Sequence, residues 1–141
     1  MIRNWNTPMK TKEIEQAFLE TKYIIHLQSD IVLKIGKMPA DLLEHIPLLE
    51  TWAFITAWNP LPDILSISEN ERRNEDLQQY LLDRGYSIHK GIGISKDQSW
   101  AEESFFIENI ELEDARAASA QFGQLAFVYG ERESVNQLVF T

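Results

Sequence analysis

The sequence contains no cysteine. That excludes a disulfide framework, thiolate metal sites, thiol catalysis and iron–sulfur clusters together. Basic residues are scarce as well, with 13 Lys and Arg against 22 Asp and Glu and a net charge of −9. General binding to nucleic acid or anionic lipid needs clustered cations and is not expected. Long apolar runs are missing too. The longest, Ile24–Leu27 and Trp52–Trp58, are too short to cross a bilayer, and Met1 to Lys12 has no apolar stretch of signal-peptide length. A cytoplasmic protein without a membrane partner is the expectation. No repeat, low-complexity tract or Gly/Ser linker divides the chain.

What is present is the composition of a folded domain. With 141 residues, 44% hydrophobic and 25% charged, the chain reads as a single domain over 1–141 that can bury a core without staples. Charge is uneven: residues 101–141 carry eight acids and two bases. Such an end repels nucleic acid, mimics it toward a basic partner, or simply keeps the surface soluble, and the last is the plainest explanation.

Periodicity orders the elements. Ile14 and Phe18 fall at helical spacing, so Lys12 to Tyr23 reads as a helix. Two short β-like runs follow, Tyr23–Gln28 and Ile31–Ile35, split by Ser29-Asp30. A short helix is expected over Asp41–Ile46 between two prolines. Trp52–Trp58 is apolar on both faces, as in a strand covered from both sides. Ser66-x-x-Glu69 and Ser68-x-x-Glu71 are overlapping capping-box candidates for a helix that stops at Gly85. Strands over Tyr86–Ile94 and Trp100–Glu108, a helix over Glu111–Phe122, and strands over Gln124–Tyr129 and Val135–Phe140 complete the chain. From 52 to 130 the order is strand, helix, strand, strand, helix, strand. The expected fold is α+β: a ferredoxin-like split βαβ core, 52–130, with its mostly antiparallel sheet carrying helices on one face. Residues 12–51 form an N-terminal helix–hairpin extension and 131–141 a final strand.

That topology gathers the unusual polar residues at one end of the sheet. Asn59 leaves the first core strand, Asn70 and Arg73 lie on the first turns of its helix, Trp100, Glu102 and Ser104 enter the third core strand, and Gln124 turns the last corner. A helix N-terminus with an arginine beside it can grip an anion. The structural alternative pairs Arg73 with Glu102 or Glu103. Either glutamate, desolvated between aromatics, would have a raised pKa suited to acid–base chemistry. Asn59, Asn70, Arg73, Trp100, Ser104 and Gln124 are therefore the candidate binding residues, and Glu102 and Glu103 the candidate catalytic ones. No metal-ligand spacing and no cofactor motif accompanies them. Gly91-Ile92-Gly93 opens no helix, so it is no dinucleotide loop; paired glycines on one strand face mark close packing or room for a ligand against the backbone.

The set Phe54–Pro60, Glu69-Asn70 with Arg73, Gly91-Ile92-Gly93, Trp100 with Glu102–Phe105, and Phe122-Gly123-Gln124 leading to Ala126-Phe127 resembles the bacterial DUF3293 family over roughly residues 20–130. The resemblance implies a small intracellular bacterial protein and no particular activity, so enzyme status stays open. Two functional expectations stand. The first is a pocket at the gathered end for a small anionic or nucleotide-like ligand. The second is a non-enzymatic regulatory or protein-interaction module, as a homodimer, through a sheet edge, or as an acidic nucleic-acid mimic.

Overall fold

The computed structural model describes residues 11–60 and 64–141. Met1 to Lys10, where no leader was expected, lies outside the described residues. The elements run α1 (Thr11–Glu20), β1 (Lys22–His26), β2 (Asp30–Leu33), α2 (Ala40–His45), β3 (Thr51–Ile55), α3 (Ile67–Asp83), β4 (Ile88–Ile94), β5 (Ala101–Glu108), α4 (Leu112–Gln121), β6 (Ala126–Glu131) and β7 (Gln137–Phe140). This is a mixed α+β architecture. One seven-stranded sheet has the order β2-β1-β4-β5-β3-β6-β7, and each neighbouring pair is antiparallel.

Alternation along the strands splits the apolar residues between two cores. On the outer face Ala53, Ile55, Phe105, Ile107, Phe127 and Tyr129 pack under Leu77 and Leu81 of α3 and Ala115 and Ala118 of α4. On the inner face Tyr23, Ile25, Leu33, Trp52, Phe54, Phe106 and Val128 form a second cluster, closed by Phe18 of α1 and Leu42 of α2. β3 feeds both cores, which explains its apolarity on both faces. It is shorter than Trp52–Trp58, because the ladder ends at Ile55. Ser66 caps α3, accepting from the Glu69 amide at 3.2 Å, so the first of the two overlapping capping candidates is the one used.

The sheet is strongly curled. Flat, its outermost strands would lie roughly 29 Å apart at about 4.8 Å per strand. Instead the segment after β2 meets the segment before β7: Ile35 bridges Asn136, and the Gly36 amide donates to Asn136 O at 2.7 Å. Asn136 is the clasp. Buried to 1% exposure, it accepts from the Trp52 indole at 2.9 Å and donates to the Lys34 and Lys37 carbonyls. Trp52 lies so close over Gly130 that a Cβ there would sit 2.2 Å from its ring. Among the described residues, no helix is long and apolar enough to cross a membrane.

Candidate functional site

Two glycines on the inner face of β4 do different jobs. At Gly91 a Cβ would lie 2.5 Å from the Ile24 carbonyl oxygen and 2.8 Å from the Phe54 ring, so its space is already taken. Gly93 sits between Tyr23 of β1 and Glu102 of β5. A Cβ there would meet nothing nearer than Thr21 Cγ2 at 3.7 Å and Tyr23 Cδ1 at 3.8 Å. The absent side chain at 93 therefore leaves a hole. A cavity of about 60 Å³ occupies it, walled by Phe18, Thr21, Tyr23, Phe54, Thr56, Asn59, Trp100, Glu102, Ser104, Gln124 and Leu125–Val128.

Among the described residues Glu102 is the charged side chain of this cavity. It forms no hydrogen bond or ion pair with any described residue. Desolvation by the apolar walls alone pushes its carboxyl up to about 8. At pH 7 a group with that pKa is protonated in about nine molecules of ten. The other titratable wall, Tyr23, donates its hydroxyl to Phe18 O at 2.9 Å, and burial raises its pKa further above the ordinary tyrosine value. It stays neutral.

Five of the sequence-derived candidates, Asn59, Trp100, Glu102, Ser104 and Gln124, line this one cavity. The turn before β5 fixes Trp100: its amide donates to Ser95 Oγ and its carbonyl accepts from the Ser95 amide, while Asp97 Oδ1 accepts from Ser95 Oγ and the Ser99 amide. Hydrogen bonds from the Ser99 side chain, the Ser99 amide and Ser95 Oγ, in that order, hold the Asp97 carboxyl well below its usual range. Asn59 stands at φ 42°, and its side-chain oxygen accepts from the Leu65 amide and from Asn70 Nδ2. Gln124 Nε2 donates to Trp58 O at 3.2 Å. Ser104 Oγ donates to the Glu102 carbonyl and has no hydrogen bond to a histidine; His89 is bonded to Glu108 at 2.5 Å. A serine nucleophile is not assembled.

Asn70, Arg73 and Glu103 do not line the cavity. The first half of α3 works as a splint where β3 leaves the ladder. Asn70 Oδ1 accepts from the Asn59 amide, Asn74 Oδ1 from the Ala57 amide, and Asn74 Nδ2 donates to Glu103 O. Arg73 donates from Nε to Ala57 O at 2.8 Å and from Nη2 to Phe122 O. Its partners are main-chain carbonyls rather than Glu102 or Glu103, because the end of β3 and the end of α4 both leave carbonyls needing donors. Glu103 points to the outer face, into an open groove of about 400 Å³ with His26, Glu71, Glu75 and Lys90. Among the described residues, no group of three or more His, Asp and Glu side chains could hold a metal ion.

Sequence reasoning missed the aromatic half of the cavity: Phe18, Tyr23 and Phe54. One signal was available, since Gly91 and Gly93 share a strand face. Which residues would lean over that face depends on how β1 and β3 register against β4 and β5.

A family model described as "Protein of unknown function (DUF3293)" matches residues 55–127, slightly more than half of the chain. The chain belongs to the DUF3293 family. Neither a curated protein nor a solved structure matches it. The DUF3293 span contains Asn59, Gly93, Trp100, Glu102 and Gln124, whereas Phe18, Thr21, Tyr23 and Phe54 are supplied from before it.

Proposed function

We propose that this DUF3293 protein binds a small molecule in the cavity over Gly93, with Glu102 as its recognition group. One observation carries the proposal: a carboxyl group without a partner among the described residues stands in an apolar, aromatic-walled hole. Desolvating an unpaired carboxyl is costly, and a fold gains nothing from it unless a guest completes the site. The size of the hole, about 60 Å³, corresponds to roughly four to six water-sized volumes. It suits a head group or a compact molecule rather than a whole nucleotide. The anionic guest expected from Arg73 has less support, since that guanidinium bonds to carbonyls outside the cavity. Acid–base chemistry on the guest is compatible with a Glu102 carboxyl raised to about 8.

The split βαβ, ferredoxin-like reading of the core is supported by the order β4-β5-β3-β6, with α3 and α4 in the two crossovers. Cytoplasmic residence is consistent with the absence of cysteine. The sheet-edge interaction reading draws less support, because the Asn136 clasp ties the ends of both outer strands together.

The test is a protein-observed NMR screen of small polar and aromatic compounds against wild type and Gly93→Val. Binders should shift the amides of Gly93, Trp100, Glu102 and Gln124 in wild type and not in the filled variant. Shifts that persist in Gly93→Val, or a library that moves none of these amides, would reject the cavity as the binding site.

A further inference from the structure

From the walls of that cavity we infer that its guest carries an alkylated ammonium group that pairs with the Glu102 carboxylate. The inference rests on the cavity being the binding site and specifies the guest's chemistry. Four aromatic residues of the inner face and α1, Phe18, Tyr23, Phe54 and Trp100, line the space beside one carboxyl group. Aromatic faces attract a cation through their quadrupoles, and most strongly when water is excluded. The carboxylate then supplies the counter-charge it otherwise lacks. Among the described residues no Lys or Arg lines the cavity, so none of them competes for the carboxylate or repels a cation. An anion would meet aromatic rings and an acid together. A neutral guest would gain nothing from the ring quadrupoles.

The protonation follows from the surroundings. Empty, the Glu102 carboxyl is raised to about 8 by desolvation. The described residues that share the cavity with it include Gly93 from β4, Tyr23 from β1, Phe18 from α1, Phe54 from β3, Ser104 from β5 and Gln124 from the loop before β6. Of these only Tyr23 titrates, and it stays neutral throughout the working range. A bound ammonium favours the ionised form, so the carboxyl loses one proton to solvent while the guest keeps its own charge. The bound pair is neutral overall. Affinity for a permanently charged guest should therefore rise about tenfold from pH 6 to pH 7 and level off above pH 8.

The probes are tetramethylammonium and tert-butylammonium, with tert-butyl alcohol as the neutral isostere. They are titrated by calorimetry and NMR into wild type, Glu102→Gln and Gly93→Val from pH 6 to 9. The inference expects three results: ammonium binding that strengthens with pH, release of close to one proton per guest at pH 7, and at least tenfold weaker binding to Glu102→Gln. Equal binding of tert-butyl alcohol, or undiminished ammonium binding to Glu102→Gln, would overturn the ammonium assignment while leaving the cavity as a binding site. Ammonium binding that survives in Gly93→Val would overturn both. Failure of both ammonium probes to bind wild type at pH 8 would overturn the ammonium assignment alone, the cavity then standing or falling on the compound screen.

Discussion

Replacing Glu102 by Gln should make the protein more stable, by an amount that depends on pH. In the folded chain the carboxyl is raised from its ordinary value of 4.5 to about 8 by desolvation. A group with a raised folded pKa costs nothing while both states are protonated, below about pH 4.5. As pH climbs from there toward 8, the unfolded chain ionises freely and the folded chain resists, so stability is lost across that window and the loss is complete above it. At about 1.36 kcal/mol per pH unit, the penalty is roughly 1 kcal/mol at pH 5 and on the order of 3 kcal/mol at pH 7. Gln keeps the shape and has no proton to lose. Urea unfolding of both proteins at pH 5, 6, 7 and 8 measures the difference directly, and the midpoints should diverge as pH rises with m unchanged. In melting temperature, 3 kcal/mol is worth roughly 10 °C for a domain of this size. A pH-independent gap, or a Gln variant less stable than wild type at pH 8, would refute the reasoning. The first result would mean that the carboxyl is not desolvated on folding, the second that the carboxylate has a stabilising partner. If the difference appears, the protein sacrifices stability to keep that carboxyl in place, the usual signature of a functional group.

Other substitutions separate framework from cavity. Gly93→Ala adds a methyl group at ordinary contact distances, so thermal melts should show no loss and a gain of up to about 0.5–1 kcal/mol from the stiffer backbone. Gly130→Ala drives a methyl into the Trp52 ring and Gly91→Ala drives one into the Ile24 carbonyl; each should cost about 3 kcal/mol in denaturant unfolding. Arg73→Met leaves the Ala57 and Phe122 carbonyls without their donor and should destabilise by about 2 kcal/mol, while probe affinity in the cavity, read by calorimetry, stays within twofold. Asn136→Leu opens the clasp and orphans the Trp52 indole N–H, for a loss of about 3 kcal/mol and faster amide exchange at Ile35 and Gly36.

Local signals in the chain were sufficient for the element order. Alternation in Phe105–Ile107, the Ser66 cap and the Gly85 and Gly123 stops depend only on neighbours a few residues away, and such short-range chemistry can be read in one dimension. The likeness to DUF3293 also lies in short segments, which is why the family is legible in the sequence alone. Two results required three dimensions. Arg73 and Asn70 look like ligand-binding residues along the helix, but the exit of β3 makes them splints, since a strand's end exposes carbonyls that no sequence pattern reveals. Conversely, the candidate Glu102 borders a hole only because β1 brings Tyr23, and β4 brings a missing side chain, to its inner face. The curl that seats Phe18 and Phe54 over that hole follows from the pairing of strands far apart in the chain, closed by Asn136. Local periodicity sets which face a residue takes, but burial and proton affinity are properties of what the rest of the fold lays against that face.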